Sequence, residues 1–243
     1  MTKEEFEMVV AGIVAGGIGS RMGNSTVPKQ FLSLSGKPII IHTLEKFLAC
    51  NRIDLVVVGV HVDWQPYLED LVKQYLPQED RVFITPGGEN RNATINNIIM
   101  EAGRHIELTE NTVFVTHDAV RPFLSLRIIE DNIDAVKDGG VCDTVIPATD
   151  TIVRSADNKI ISDIPVRSEM YQGQTPQSFT YGAFRQVFDS MTEEELNIVT
   201  DACKMFYLRD YQVKLVEGDV ANMKITYPLD YKIAQALMED MKK

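Results

Sequence analysis

Five short stretches of this chain carry residues that could do chemistry. AGGIGSRMG (residues 15–23) places Gly16, Gly17, Gly19 and Gly23 around Arg21, and Lys29 follows within PKQF. GGENRNATINNI (87–98) repeats the pattern with Gly87, Gly88, Glu89, Arg91 and Thr94. THDAVRPF (116–123) carries Asp118 and Arg121, MYQGQTPQSF (170–179) is a polar run, and NMKIT (222–226) holds Lys224. Glycine turns let backbone N–H groups approach an anion without obstruction, and helix starts favour negative charge. Cations beside such turns are suited to holding phosphate groups.

Three readings of the first stretch compete with an ordinary tight turn. The Walker loop needs Gly-Lys-Ser/Thr at a helix start, which is absent. The dinucleotide fingerprint finds Gly17 and Gly19 at the right spacing but Met22 where its third glycine belongs, with Gly23 serving only a looser version. It also calls for an acidic residue about 20 positions on, at a strand end, where this chain has PIIIHTLEK, a helical pattern. The remaining reading is a nucleotidyltransferase loop, in which Arg21 and Lys29 neutralise a triphosphate. For an isolated glycine cluster the plain turn would be the better account. The other four stretches tip the balance, because they occur together, three of them at the end of a strand-like run or beside a helix start and MYQGQTPQSF adding polar groups from the arm described below.

The elements that must position these residues are legible as alternating patterns. Residues 8–14, 55–60, 81–85 and 112–117 are short, nearly continuous apolar runs rich in β-branched residues, as strands buried on both faces should be. Between them, Ile40, Leu44, Phe47 and Leu48, then Ile95, Ile98, Ile99 and Ala102, recur at helical spacing. This is an α/β chain with a mostly parallel, Rossmann-like sheet flanked by helices, in which ligands sit beyond the carboxyl ends of the strands. The pattern breaks after Val145. Residues 147–177 read as an extended, protruding β-arm inserted in one domain spanning 1–243. Helical periodicity returns at Tyr181, residues 213–218 suggest another strand, and a final helix from Pro228 carries Ile233, Leu237 and Met241 along one side.

Composition narrows the class. The 243 residues hold 24 Lys plus Arg against 35 Asp plus Glu, a net charge of -11, which argues against nucleic acid or an anionic membrane as partner. Cys50, Cys142 and Cys203 are odd in number and far apart, so core filling in a reducing compartment is expected. The acidic N-terminal stretch is unlike a signal peptide, and the apolar run behind it is cut by glycines and Arg21; the cytoplasm follows as the expected location. His117, beside Asp118, invites an acid–base role but reads better as structural, and His42, His61 and His105 lack metal-ligand spacing.

Taken together, AGGIGSRMG, PKQF, GGENR, THDAVRPF, PVRSEMYQGQTPQSF, TDACK and VKLVEGDVANMKIT resemble the cytidylyltransferases that activate sugar-alcohol phosphates, over essentially the whole chain. THDAVRPF and MYQGQTPQSF match the ribitol 5-phosphate branch more closely than the methylerythritol 4-phosphate branch of isoprenoid synthesis. Ala202 after the Thr-Asp pair, where the isoprenoid branch usually has Glu, points the same way. The resemblance implies a nucleotide-diphospho-sugar transferase type of fold, transfer of CMP from CTP to ribitol 5-phosphate for teichoic acid synthesis, Mg²⁺ held mainly by the CTP phosphates with Asp118 as a possible ligand, and a homodimer clasped through the arm. It makes Arg21, Lys29 and Lys224 catalytic. Ala15, Gly16, Gly17, Ile18 and Gly19 would cradle the triphosphate, and Gly87, Gly88, Glu89, Arg91 and Thr94 would receive the nucleoside. Asp118, Arg121, Arg167, Thr175 and Thr200 would bind the polyol phosphate, with Arg167 and Thr175 serving either their own chain's site or a neighbour's. An NAD(P)-dependent reductase and a non-catalytic CTP sensor are the rival readings.

Overall fold

A central seven-stranded sheet collects the strand ends in one row. The computed structural model describes residues 8–17, 27–137, 140–199 and 201–240. Its strands are β1 (Val9–Ala15), β4 (Leu55–Val60), β5 (Val82–Pro86), β6 (Val113–Asp118), β7 (Val141–Pro147), β8 (Tyr171–Thr180) and β9 (Val213–Glu217), ordered β5-β4-β1-β6-β8-β7-β9. Two short strands, β2 (Ser33–Leu34) and β3 (Lys37–Pro38), pair separately. The pairs β1–β4, β1–β6, β4–β5 and β7–β9 are parallel; among the described strands of the seven-stranded sheet only β8 runs antiparallel, to both neighbours. Strands β1, β4 and β6 are buried almost throughout, as expected of parallel strands covered on both faces.

Helices α1 (Ile39–Leu48), α2 (Gln65–Tyr75), α3 (Arg91–Ala102) and α4 (Leu126–Val136) follow the first strands. Helices α5 (Tyr181–Phe188), α6 (Glu193–Ile198), α7 (Ala202–Tyr207) and α8 (Pro228–Asp240) follow in the second half. One face of the sheet packs Ala11, Ile13, Val56 and Val58 against α1 and α4, through Ile40, Leu44, Ile129 and Ile133. The other packs Val10, Val57 and Phe114 against α3 and α5, through Ile95, Ile98 and Phe184. Burial of such side chains contributes about 1.5–3 kcal/mol each. PIIIHTLEK is indeed helix, α1, not the strand a dinucleotide fold would need.

Two sequence expectations need correction. The arm is shorter than 147–177, because residues 171–177 belong to β8, inside the sheet. Gly173 and Pro176 disguise that strand, since proline cannot donate to a ladder. The structure accommodates it with a register shift: Val145 faces Gly173 and Asp143 faces Gln177, so Gln174, Thr175 and Pro176 form a bulge against β7. The part outside the sheet, 148–170, is a narrow hairpin held by one bridge, Arg154 to Asp163. On α8 the side facing the protein is Tyr231, Ala234 and Met238. Ile233 is 43% exposed, and Met241 lies outside the described residues. Hydrophobic spacing alone gave a stripe about one position out of phase.

Candidate active site

At the carboxyl ends of β1, β5 and β6 lies a cleft of about 370 Å³ lined by Ala15, Gly16, Gly17, Lys29, Gly88, Glu89, Arg91, Thr94, Asp118 and Lys224, among others. Its walls are turns. The β1 chain leaves the sheet into Gly16 and Gly17, and Gln30, beside Lys29 in a short 3-10 turn, donates from Nε2 to the carbonyl oxygens of Ala15 (2.7 Å) and Gly17 (3.0 Å). Those two acceptors are therefore satisfied, which blunts the repulsion they would exert on a phosphate. Across the cleft, Asn90 caps α3 by accepting the Ala93 N–H (2.9 Å), and Thr94 Oγ1 accepts the Gly88 N–H (3.0 Å) while donating to Asn90 O (2.9 Å). Thr94 thus fixes the turn. Gly88 has no room for a side chain, since a Cβ there would lie 2.4 Å from that of Ala93. Gly87 sits one step behind the wall, its N–H bonded to Val60 O at 2.6 Å.

A second cavity of about 220 Å³ adjoins the first and shares Arg91, Asp118 and Lys224 with it. Its other lining residues are Arg121, Asp143, Gly173, Gln174, Thr175, Gln177 and Asp201. The shared wall is a cluster of three cations around one carboxylate. Arg91 Nη1 donates to Asp118 Oδ1, while Lys224 Nζ (2.9 Å) and Arg121 Nε (3.4 Å) reach Oδ2. Burial alone would push the Asp118 carboxyl up, but Arg91, Lys224 and Arg121 together outweigh it and hold the group well below the usual carboxylate range. Three cations against one anion leave a local positive excess in a chain of net charge -11. Arg91 Nη2 is buried without a hydrogen-bond partner among the described residues, so one strong donor is held in reserve for a ligand.

The cluster is rigidly placed. Arg121 Nη1 donates to Asn222 O (2.8 Å) and Ile225 N–H to Val120 O (3.0 Å), which ties the Lys224 segment to the turn after β6. His117 lies beneath, fully buried, its Nε2 bonded to Arg121 O (3.2 Å) and its Nδ1 to Thr175 Oγ1 (2.9 Å). Only an N–H at Nε2 satisfies that carbonyl, so Nδ1 accepts from the Thr175 hydroxyl, whose oxygen in turn accepts the Asp118 N–H (3.2 Å). Burial lowers the His117 pKa to about 3. The ring is neutral and structural, as expected.

Most of the site residues named from sequence come together here: Ala15, Gly16, Gly17, Lys29, Gly88, Glu89, Arg91, Thr94, Asp118, Arg121, Thr175 and Lys224 line one or both cavities. Ile18, Gly19, Arg21 and Thr200 lie outside the described residues. Arg167 is exposed in the hairpin, donating to Thr149 O at 3.3 Å, away from both cavities of its own chain. Thr175, which the sequence leaves open to either chain's site, is 4% exposed and lines its own chain's second cavity, because β8 is threaded between β6 and β7. The sequence reading missed Gln30, Asp143, Gln177 and Asp201. Gln30 sits inside the quoted PKQF, where the adjacent lysine drew the attention; Asp143 follows an apolar run and carries no local signal.

A cradle of backbone turns opening onto a cation-walled second chamber is the arrangement of an enzyme that brings two phosphate compounds together. Comparison with known proteins agrees. Residues 9–240 match the family model described as IspD, 2-C-methyl-D-erythritol 4-phosphate cytidylyltransferase. Ribitol-5-phosphate cytidylyltransferases from two Streptococcus pneumoniae strains, R6 and TIGR4, are each 48% identical to this chain over 96% of its length and 99% of theirs. Among solved structures, 4-diphosphocytidyl-2C-methyl-D-erythritol synthase from Anaerococcus prevotii superposes with a TM-score of 0.77 at 24% identity, covering 96% of this chain and 97% of that one. The Francisella tularensis 2-C-methyl-D-erythritol 4-phosphate cytidylyltransferase gives 0.75 at 25%, covering 95% and 99%. The chain belongs to this family of cytidylyltransferases.

Proposed function

We infer that the protein transfers CMP from CTP to ribitol 5-phosphate, forming CDP-ribitol and pyrophosphate. The observation that carries this reading is the wall of Arg91, Arg121 and Lys224 between the two cavities, with Lys29 lining the first. An oxygen of the acceptor's phosphate attacks the α-phosphorus of CTP in line; the new O–P bond forms as the bond to the β-phosphate oxygen breaks, and pyrophosphate departs with the electron pair. The attacking oxygen is already anionic, so no protein base is required, and the main obstacle is repulsion between two polyanions. At an effective dielectric of about 20, a cation roughly 4 Å from an anionic oxygen contributes about 4 kcal/mol before desolvation. Cations fixed before the reaction stabilise the charge that builds on the α-phosphate and the leaving group.

In this reading the Ala15–Gly17 turn cradles the triphosphate, and the Gly88–Glu89 turn receives the cytosine. Lys29 and Lys224 flank the reacting phosphates. Asp118 serves first to hold the cations, since both its oxygens are occupied by them. Among the described residues no cluster of three metal-ligating side chains exists. A Mg²⁺ ion would be bound chiefly by triphosphate oxygens and water, as this ion commonly is, and would neutralise phosphate charge. Ile160, Ile161, Ile164 and Val166 expose apolar surface along the hairpin, each more than half accessible. We take this as the face that clasps a second copy, which would carry Arg167 to the partner's second cavity in a homodimer. The product would serve as a donor for teichoic acid, made in the cytoplasm; no described helix is long and apolar enough to cross a membrane.

The experiment is pyrophosphate release from CTP with ribitol 5-phosphate or methylerythritol 4-phosphate as acceptor. The expected result is turnover with ribitol 5-phosphate at a kcat/KM at least tenfold above that with the branched acceptor. Preference for methylerythritol 4-phosphate would move the protein to the other branch, and CTP binding without turnover on either would make it a sensor.

A further inference from the structure

The second cavity is electrically polarised. One end is the cation wall of Arg91, Arg121 and Lys224; the other carries Asp143 and Asp201, with Gln177 between them. Gln177 Nε2 donates to Asp143 Oδ1 (3.2 Å) and Asp201 Oδ1 (3.4 Å), while its Oε1 accepts the Ala202 N–H (3.3 Å), which fixes which way the amide faces. Asp201 is also committed as the cap of α7, accepting the Lys204 N–H at 2.9 Å. Asp143 is not. Its Oδ2 receives no hydrogen bond from the described residues and faces Gly173, which has no side chain to cover it.

The uncharged polar side chains of the chamber are spent. Gln174 donates to Asp219 O (2.8 Å), and its carbonyl accepts from Asn222 Nδ2 (3.1 Å) and Asp219 N–H (3.4 Å). The Thr175 hydroxyl is engaged by His117 and Asp118. A phosphate is repelled by the acidic end and held at the cationic end. Uncharged hydroxyls gain most at the acidic end, because hydrogen bonds to a charged acceptor are stronger than neutral ones. The polarity therefore matches an acceptor with a phosphate at one terminus and a chain of hydroxyls behind it, and it imposes the direction in which that molecule enters.

We propose that Asp143 is a specificity-determining residue that accepts hydrogen bonds from the hydroxyl chain of the polyol phosphate, with Gln177 and Asp201 positioning it. The inference rests on the acceptor reading above. Burial, against the opposing hydrogen bond from Gln177, raises the Asp143 pKa to about 6. The group is thus held at some cost to the folded state, as functional groups often are.

The test is steady-state kinetics of the full-length protein and Asp143→Asn with CTP and either ribitol 5-phosphate or glycerol 3-phosphate, whose chain is too short to offer the same row of hydroxyls. The variant keeps the side-chain size and removes the carboxylate. The KM for ribitol 5-phosphate should rise about tenfold or more, and the preference for it over glycerol 3-phosphate should shrink by a similar factor, with the KM for CTP unchanged within about twofold. An unchanged preference would overturn the proposal, and so would an equal loss with both acceptors. Failure of the parent protein to use ribitol 5-phosphate would instead strike the functional reading beneath it.

Discussion

The two cavities are built by different means. The first is made of backbone: turns after β1 and before α3, a glycine, Gly88, where a side chain cannot fit, and a helix start. The second is made of side chains supplied by a strand bulge, a parallel strand and a helix cap, brought together only when β8 is inserted between β6 and β7. A turn-built site leaves a trace in sequence, because glycine turns and cations recur together at several strand ends and helix starts. Sites assembled from single side chains on paired strands have no such signature.

That contrast can be broken on either side. Gly88→Ala places a Cβ against Ala93 and the start of α3, at 2.4 Å from the Ala93 Cβ, so the turn must shift and lose the Gly88 N–H bond to Thr94. Overpacking of this kind costs about 1–3 kcal/mol. In calorimetry CTP affinity should fall by about one order of magnitude or more; unchanged affinity would mean that this turn does not form the nucleotide wall. Asp143→Asn should act in the opposite sense on stability. The folded protein raises this pKa from 3.8 to about 6, so the folded state holds the proton more tightly than the unfolded chain does. The resulting stabilisation is fully present below about pH 4 and is lost as pH rises through about 6, leaving a charged, half-buried group at pH 7. A shift of about 2 units, discounted for partial exposure, makes the variant more stable by about 1–2 kcal/mol at pH 7, with the difference closing near pH 4. Urea unfolding at the two pH values reads it, and a variant less stable than the parent at pH 7 would show that the carboxylate is a structural asset.

Legibility in the sequence followed the same division. The four early strands fell within a residue of their predicted bounds because continuous β-branched runs have one comfortable home, a sheet buried on both faces. Lys29, Arg91, Asp118 and Lys224, which line the first cavity, stand out in sequence because they lie beside glycine turns, at a strand end or, for Lys224, just ahead of the last helix. β8 was taken for part of the arm because Gly173 and Pro176 are signs of irregular chain, and only the register shift against β7 makes them compatible with a sheet. The phase of α8 was misjudged because Leu229 and Ile233 are apolar yet exposed, at 65% and 43%; helical spacing says which residues share a face, not which face is covered. Asp143 lay among apolar neighbours with nothing nearby in sequence to show that Gln177 and Asp201 would meet it.

The central claim is that cations drawn from distant parts of the chain let two mutually repelling phosphates meet at the wall between the cavities. Lys224 tests it most directly, since it lines both cavities and its side chain is 45% exposed, so its removal should disturb folding little. The measurement is kcat for CDP-ribitol formation by Lys224→Ala beside its urea unfolding midpoint. A fall of about a hundredfold or more in kcat, comparable to loss of one preorganised charge-stabilising group, with a nearly unchanged midpoint, is the predicted result. Turnover within about threefold of the parent would contradict the account.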